Sequence, residues 1–427
     1  MGVVSDLLRE VPLPRMVRVE QKFDRTHIPP EDIPAVVKKE LSREAIASRI
    51  RPGMEIAITV GSRGVVNVAV ITRAIADFVK ERGAVPFLVP AMGSHGGATA
   101  QGQREIIESY GVTEEAMGCE IRSSMETVVL GLSGNGKPVH CDRIAASADG
   151  IIVCGRVKPH TAFRGPYESG ICKMMCIGLG KQKGAEVLHA DGFGQMVDEV
   201  PMFARVFLEK APVLCGIGIL ENAYDETREI AALAADEIME KEPELLLRAK
   251  SYMPRLLFDS CDVLIVDRIG KNISGDGMDP NISGRFPTPF ATGGIHAQRV
   301  AVLDLTEETH GNASGIGLAD VTTQRLFRKM DAEMTYPNSI TNTITDVVKI
   351  PMVLYTDKEA IQMAVKSCNF IDRAHPRMIR IENTMKLKEI FISEGMLAQA
   401  GENPQIRVLD EPEEFPFDAK GNLLPEE

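Results

Sequence analysis

The sequence contains no tryptophan, and aromatic residues make up only 5% of its 427 positions. Packing must therefore lean on other shapes, and the 20 methionines and 37 glycines supply adaptable fillers and tight turns. No basic run with interleaved aromatics occurs. The net charge of −12 sets the chain against phosphate polymers, so no nucleic-acid partner is expected. No uninterrupted apolar stretch reaches the roughly 20 residues of a bilayer crossing, so no membrane partner is expected. Residues Met1 to Arg18 mix acidic and basic groups around no apolar core of signal-peptide length. A cytoplasmic protein is the expectation. Familiar catalytic signatures are missing as well: no Walker-type loop, no G-x-G-x-x-G after a strand, no H-E-x-x-H and no G-x-S-x-G. The glycine-rich 311–317 lacks the Lys-Ser/Thr ending of a phosphate loop.

What is present is globular. Hydrophobic residues at 44% and charged residues at 25% give ample material for buried cores. The length suggests two or three domains. The eight cysteines are scattered, and several, such as Cys154 and Cys215, sit in apolar runs that read as reduced, buried thiols. Cys172 and Cys176 could share a helix face, a spacing that alone carries little metal signal.

Short apolar runs alternate with helical patterns. Strands are expected at Glu55 to Val60, Val85 to Pro90 and Gly150 to Gly155. A helix with Val68, Ile71, Ile75, Phe78 and Val79 on one face should span Val68 to Glu81, and another Gln101 to Tyr110. A charged helix is expected from Ala231 to Ala249. A second alternating series starts at Asp262 and continues through strands at 300–305 and 351–356, with helices near Val321 to Met330 and Lys358 to Lys366. The tail after Gly401 reads as peripheral. The fold class is α/β: two domains, 1–255 and 256–427, each with a mostly parallel sheet flanked by helices. The second is expected to close over a cleft holding the active site.

Three polar, glycine-punctuated loops follow predicted strands: Gly61-Ser62-Arg63-Gly64, Gly93-Ser94-His95-Gly96-Gly97 and Lys158-Pro159-His160. In open parallel sheets such loops gather at the carboxyl edge, where ligands bind. Gly96 and Gly97 would let the backbone approach a ligand. Arg63 could fork onto a carboxylate or phosphate, or simply be a solvated cation. His95 and His160 could move protons, or be exposed turn histidines. Lys173 lies in an apolar, Met- and Cys-rich run. Desolvation there would make its amine nucleophilic, unless it snorkels to water. His189 could bind a metal or be a packed histidine. Lys181 and Lys183 could meet phosphate or be solvated.

In order and spacing these residues resemble the lactate racemase family of nickel-pincer enzymes: a histidine between glycines, a Pro-His, a lysine in an apolar segment and a histidine sixteen residues on. The resemblance implies a racemase or epimerase that inverts C2 of a 2-hydroxy acid by reversible hydride transfer. Its cofactor would be a nickel-pincer nucleotide, the nickel complex of pyridinium-3,5-bisthiocarboxylic acid mononucleotide. Lys173 would hold it covalently, His189 would ligate nickel, and His95 and His160 would be the acid/base pair. Ser62, Arg63, Gly96 and Gly97 would contact the cofactor, and Arg63, Asn281 and Arg285 the substrate. The chain departs from the family in two places: Ser62-Arg63-Gly64 replaces Thr-Arg-Pro, and Asp279-Pro280-Asn281 leads into Ser283, Gly284 and Arg285 rather than a Gln and a Lys. With Lys271, Asn272, Ser274 and Asp276 nearby, a polar or sugar acid such as gluconate is the expected substrate. Lactate or another short-chain acid is the alternative. A dehydrogenase or lyase, or a non-catalytic nucleotide- or metal-binding protein, are the competing classes.

Overall fold

The computed structural model describes residues 2–62 and 64–424. The chain divides into two compact units. One comprises 24–253, the other 1–23 together with 254–427. The boundary at 253/254 lies beside the expected one. The first 23 residues depart from expectation, because they belong with the C-terminal unit. The reason is strand β1 (Met16–Gln21), whose alternating MVRVEQ must find edge partners, and those come from the far end of the chain.

Unit 24–253 contains β2 (Glu55–Val60), β3 (Val85–Pro90), β4 (Thr127–Leu132), β5 (Pro138–Asp142), β6 (Gly150–Arg156), β7 (Val213–Glu221) and β8 (Thr227–Ala234). β4 and β5 form a separate hairpin. The others form one sheet in the order β3-β2-β6-β7-β8, parallel except for the β7–β8 pair. The near-continuous apolar runs of β2, β3, β6 and β7 are what strands covered on both faces require. On one face, helix Val68–Glu81 packs Ile71, Ile75, Phe78 and Val79 into the core with Ile33, Val37 and Leu41 of helix Ile33–Leu41. The opposite face of β7 carries Gly216 and Gly218 in place of larger residues. A Cβ at Gly216 would lie 2.5 Å from Ile171, and one at Gly218 would lie 3.0 Å from Leu245. Glycine inside this strand thus marks close approach of the covering helices.

The C-terminal unit contains β9 (Ser260–Ile269), β10 (His296–Leu305), β11 (Val321–Thr323), β12 (Met352–Leu354), β13 (Met378–Ile381), β14 (Glu389–Ser393) and β15 (Ile406–Val408). With β1 they form an eight-stranded sheet, β12-β11-β10-β9-β13-β14-β1-β15. The β12 to β13 portion is parallel and the β13 to β15 portion antiparallel. Apolar cores lie on both of its faces.

Three other expectations are corrected. The charged helix begins at Ile238, not Ala231 (Ile238–Tyr252), because Thr227–Ala234 pairs with β7 despite its alanine-rich, helix-favouring composition. Residues Val321–Thr323 are strand, and the helix there is Gln324–Lys329, capped by the Thr323 hydroxyl. The tail is not wholly peripheral, since β15 pairs with β1. No helix among the described residues is long and apolar enough to cross a membrane.

Candidate active site

Strand order decides where a ligand can sit in unit 24–253. From β2 the chain moves outward to β3, then returns to place β6 on the other side of β2. The crevice between the carboxyl ends of β2 and β6 is thus a topological switch point, the place where open parallel sheets take ligands. The loops carrying Ser62, His95 and His160 leave the carboxyl ends of β2, β3 and β6.

The segment carrying Lys173 crosses this crevice. A short helix, Ile171–Lys173, runs into a π-helical turn, Met174–Leu179, and then into helix Lys181–His189. Such widened turns recur at functional sites. Met174, next to Lys173, lies against Gly61 at the end of β2 and Gly155 near the end of β6. A Cβ at these glycines would lie 3.0 and 2.9 Å from its Cε. Two glycines therefore admit Met174 between the strand ends and set Lys173 at the crevice. Buried Glu242 holds the start of this segment, accepting the Cys172 N–H at Oε2 (2.9 Å). Burial pushes its carboxyl up to about 7, although the bonds it accepts oppose the shift.

His189 ends the segment. Its Nδ1 lies 2.6 Å from the Ala185 carbonyl oxygen, which can only accept. Nδ1 therefore carries the proton, and the lone pair of the neutral ring is on Nε2, the state a metal ligand needs. Burial pushes its pKa down to about 4. The Ala185 bond opposes this, and the nearby charge of Lys173 adds to it. Lys137 clasps the same stretch. Its Nζ pairs with Asp191 at 2.8 Å and with buried Glu199, and donates to the Val187 carbonyl at 3.4 Å.

His95 meets Ser62 directly, with Nδ1 and Oγ 2.6 Å apart. Its loop is tied down by buried Gln103, whose amide donates to the carbonyls of Gly93 (2.8 Å) and His95 (3.2 Å). Lys181 completes this support. It is fully buried, pairs with Asp142 at 3.1 Å, and donates to Gln103 Oε1 (3.1 Å) and the Pro90 carbonyl. It is neither solvated nor placed to meet phosphate. Gly96 (φ 66°) is required for packing: a Cβ there would lie 2.6 Å from the Gln103 nitrogen. Gly97 (φ 63°) instead faces open space.

The His160 ring packs on Phe163 (centroids 4.6 Å) and Phe193 (5.9 Å). Phe193 also meets His189 at 5.2 Å, so one phenyl ring joins the two histidines. Buried Glu168 accepts the backbone N–H of His160 at 2.7 Å and pairs with Lys250 at 2.7 Å.

Three expected residues remain. Arg63 is outside the described residues. Asp279 caps the short helix Pro280–Ser283, and its Oδ1 accepts the backbone N–H and the Nδ2–H of Asn281, each at 2.9 Å. Arg285 pairs with Asp320 at 2.7 Å and donates to the Gln298 carbonyl at 3.0 Å. These partners lie at the amino ends of β10 and β11, the edge opposite the ligand-binding one. Arg285 is thus held by an ion pair and a carbonyl contact at that edge. Cys172 and Cys176 are buried, and burial keeps both thiols protonated, which makes them poor metal ligands. No cluster of three or more metal-binding side chains occurs among the described residues.

Sequence reading missed Phe193, Glu168, Gln103, Glu242 and Lys137, and took Lys181 for a phosphate contact or a solvated lysine. For the polar ones the only signal was a polar residue at an otherwise apolar position, as with Gln103 on its helix. Which backbone group each would satisfy depends on the fold.

Residues 7–196 match the family model described as the lactate racemase N-terminal domain. In structure the chain is similar to the lactate racemase apoprotein from Thermoanaerobacterium thermosaccharolyticum, with a TM-score of 0.53 and 12% identity. That likeness covers 87% of this chain and 99% of the other. No curated protein matches the chain in sequence.

Proposed function

We propose, from the premise that the chain carries the N-terminal domain of the lactate racemase family over residues 7–196, that it is an isomerase inverting C2 of a 2-hydroxy acid. The observation that carries the reading is His189 beside Lys173. One is a neutral imidazole whose Nδ1 proton is given to the Ala185 carbonyl. The other is an amine near enough for its charge to depress the His189 pKa. This donor set fits a nickel-pincer nucleotide: Lys173 would hold its thiocarboxyl arm and His189 Nε2 would meet nickel, for which imidazole and sulfur are suitable ligands. When bound, the group supplies the hydride acceptor. The chain's own contribution is orientation and proton handling. A C2–H bond is too weakly acidic for a histidine to break by proton abstraction, so the hydroxyl must be deprotonated while C2 is oxidised. His95 and His160 would serve that hydroxyl, a role supported by their loops leaving the carboxyl ends of β3 and β6.

The substrate class proposed is a polar or sugar acid such as gluconate. Support comes from the loop after β9, which presents Lys271, Asn272, Ser274 and Asp276 at the carboxyl edge of the second sheet. The test is to produce the protein in a host that makes the cofactor and incubate it separately with gluconate and lactate. Chiral chromatography then follows C2. Inversion of gluconate is expected, whereas rapid lactate inversion with inert gluconate would assign the short-chain alternative. Mass spectrometry of the Lys173 peptide from that host should show a sulfur- and nickel-containing adduct. An unmodified lysine there, with neither acid inverted, would leave a non-catalytic binding protein.

A further inference from the structure

We infer that Lys181 is a positioning residue: with Asp142 and Gln103 it docks the His95 loop onto the segment between Lys173 and His189. The inference deepens the function proposed above and rests on it for the role of His95.

Lys181 occupies an unfavourable place. Its side chain is fully buried, and its backbone is left-handed, with φ 54°. A residue with a Cβ is strained in that region, and such outliers persist where the surroundings enforce them. The turn falls at the joint between the π-helical Met174–Leu179 and helix Lys181–His189. The neighbouring glycine does not take it over. Gly180 is right-handed (φ −63°) and serves close approach instead, since a Cβ there would lie 2.1 Å from the Cys176 carbonyl oxygen.

Three acceptors surround the Lys181 ammonium. The Pro90 carbonyl lies at the end of β3, Gln103 Oε1 is 3.1 Å away on helix Ala100–Ser109, and Asp142 Oδ2 is 3.1 Å away at the end of β5. Burial pulls the Lys181 pKa down, and Asp142 pulls it back. An ammonium can only donate, so the Gln103 amide must turn Oε1 toward it and Nε2 away. On that other side Nε2 meets the Gly93 and His95 carbonyls at 2.8 and 3.2 Å. The same loop touches the same segment directly. The Gly93 N–H donates to the Gly178 carbonyl at 3.3 Å, and a Cβ at Gly178 would lie 2.9 Å from the Ala91 carbonyl oxygen. The chain that carries His95 is thus fastened to the segment of Lys173 and His189 at Pro90, Gly93 and His95.

Position is what the buried pair contributes. Taking two charges out of water offsets much of their attraction, and replacing both partners of such a pair is often near neutral. Removing one partner is different. Asp142 Oδ2 makes no hydrogen bond among the described residues, so without Lys181 its charge is stranded. Asp142 Oδ1 accepts the Ala145 N–H at 2.9 Å, a helix cap that asparagine preserves.

The test uses the full chain. Lys181→Met/Asp142→Asn removes both charges and keeps the cap, and urea denaturation should find it more stable than Lys181→Met alone. In the first arm, hydrogen exchange of the cofactor-free protein is read by mass spectrometry. Exchange at 91–99 should be about tenfold faster in the double variant, with β9 unchanged. Unchanged exchange at 91–99 overturns the inference. In the second arm, C2 inversion is measured per chain carrying the Lys173 adduct. kcat should fall by about 10- to 100-fold while KM moves by less than about threefold, as for a displaced acid/base group. Gln103→Leu should reproduce this loss, and adding it to the double variant should cost nothing further, because both act through the same bonds. Parent-like kcat in the double variant, or additive losses, overturns the positioning role. If the double variant fails to fold, Gln103→Leu strands no charge and decides both arms by the same criteria. If exchange at 91–99 rises but the parent inverts no 2-hydroxy acid, the proposed reaction falls and the docking by Lys181 stands.

Discussion

At the scale of single residues, the candidate groups are distinct from the side chains that hold them. His95, His160, Lys173 and His189 were singled out in the sequence through order, spacing and strand context. The protonation states were not, because a tautomer is set by a partner distant in space or by local backbone geometry. His189 illustrates the consequence for pH. Its folded pKa of about 4 lies below the ordinary 6.5. Between those values the unfolded chain binds a proton that the fold refuses, so this contribution to stability is present above pH 6.5 and lost as pH falls toward 4. An NMR titration of the cofactor-free protein should give a His189 midpoint near 4. In denaturation experiments, His189→Gln should flatten the acid slope over the same range. A His189 midpoint near 6.5 would contradict the burial argument.

At the scale of elements, buried carboxylates fix the reactive segments, and Glu242 is the clearest case. It is 1% exposed, sits on helix Ile238–Tyr252, and receives the Cys172 N–H at the start of the segment bearing Lys173. Its carboxyl pKa, raised from 4.5 to about 7, means that the fold favours the protonated acid. The native state then binds more protons than the unfolded chain between these values, so stability is lost as pH rises through that window. Glu242→Gln keeps the acceptor oxygen and removes the titration. Urea denaturation at pH 8 should find the variant more stable than the parent by on the order of 1–3 kcal/mol, with the gain shrinking toward pH 5. A loss of stability at pH 8 would show that the ionised carboxylate is the form the segment needs. The regular elements themselves were largely legible: β2, β3 and helix Val68–Glu81 fall where periodicity puts them. The misreadings at Thr227–Ala234 and Val321–Thr323 share a cause. Strands of mixed propensity are set by the strand they pair with, here β7 and β10, and no periodicity within the segment itself reveals that pairing.

At the scale of the whole molecule, the two units are unequal in how the chain builds them. Unit 24–253 is continuous, whereas the other requires β1 from the N-terminus between β14 and β15. Residues 24–253 produced alone should unfold cooperatively in urea. Residues 254–427 alone should not, because β14 loses its partner and the buried places of Val17 and Val19 are left empty. Joining 1–23 to the front of 254–427 by a flexible linker should restore cooperative unfolding. A cooperative transition without β1 would contradict that dependence. By itself the sequence determined the α/β class and the main strand–helix alternation, and it singled out four candidate residues, because periodicity and glycine-flanked loops are local properties of a chain. Only tertiary structure decided the switch point between β2 and β6, the assignment of β1, the burial of Lys181, the ion pair of Arg285, and the tautomer of His189. Each of those depends on which donor or acceptor a fold brings within 3 Å, and no pattern along the chain encodes that distance.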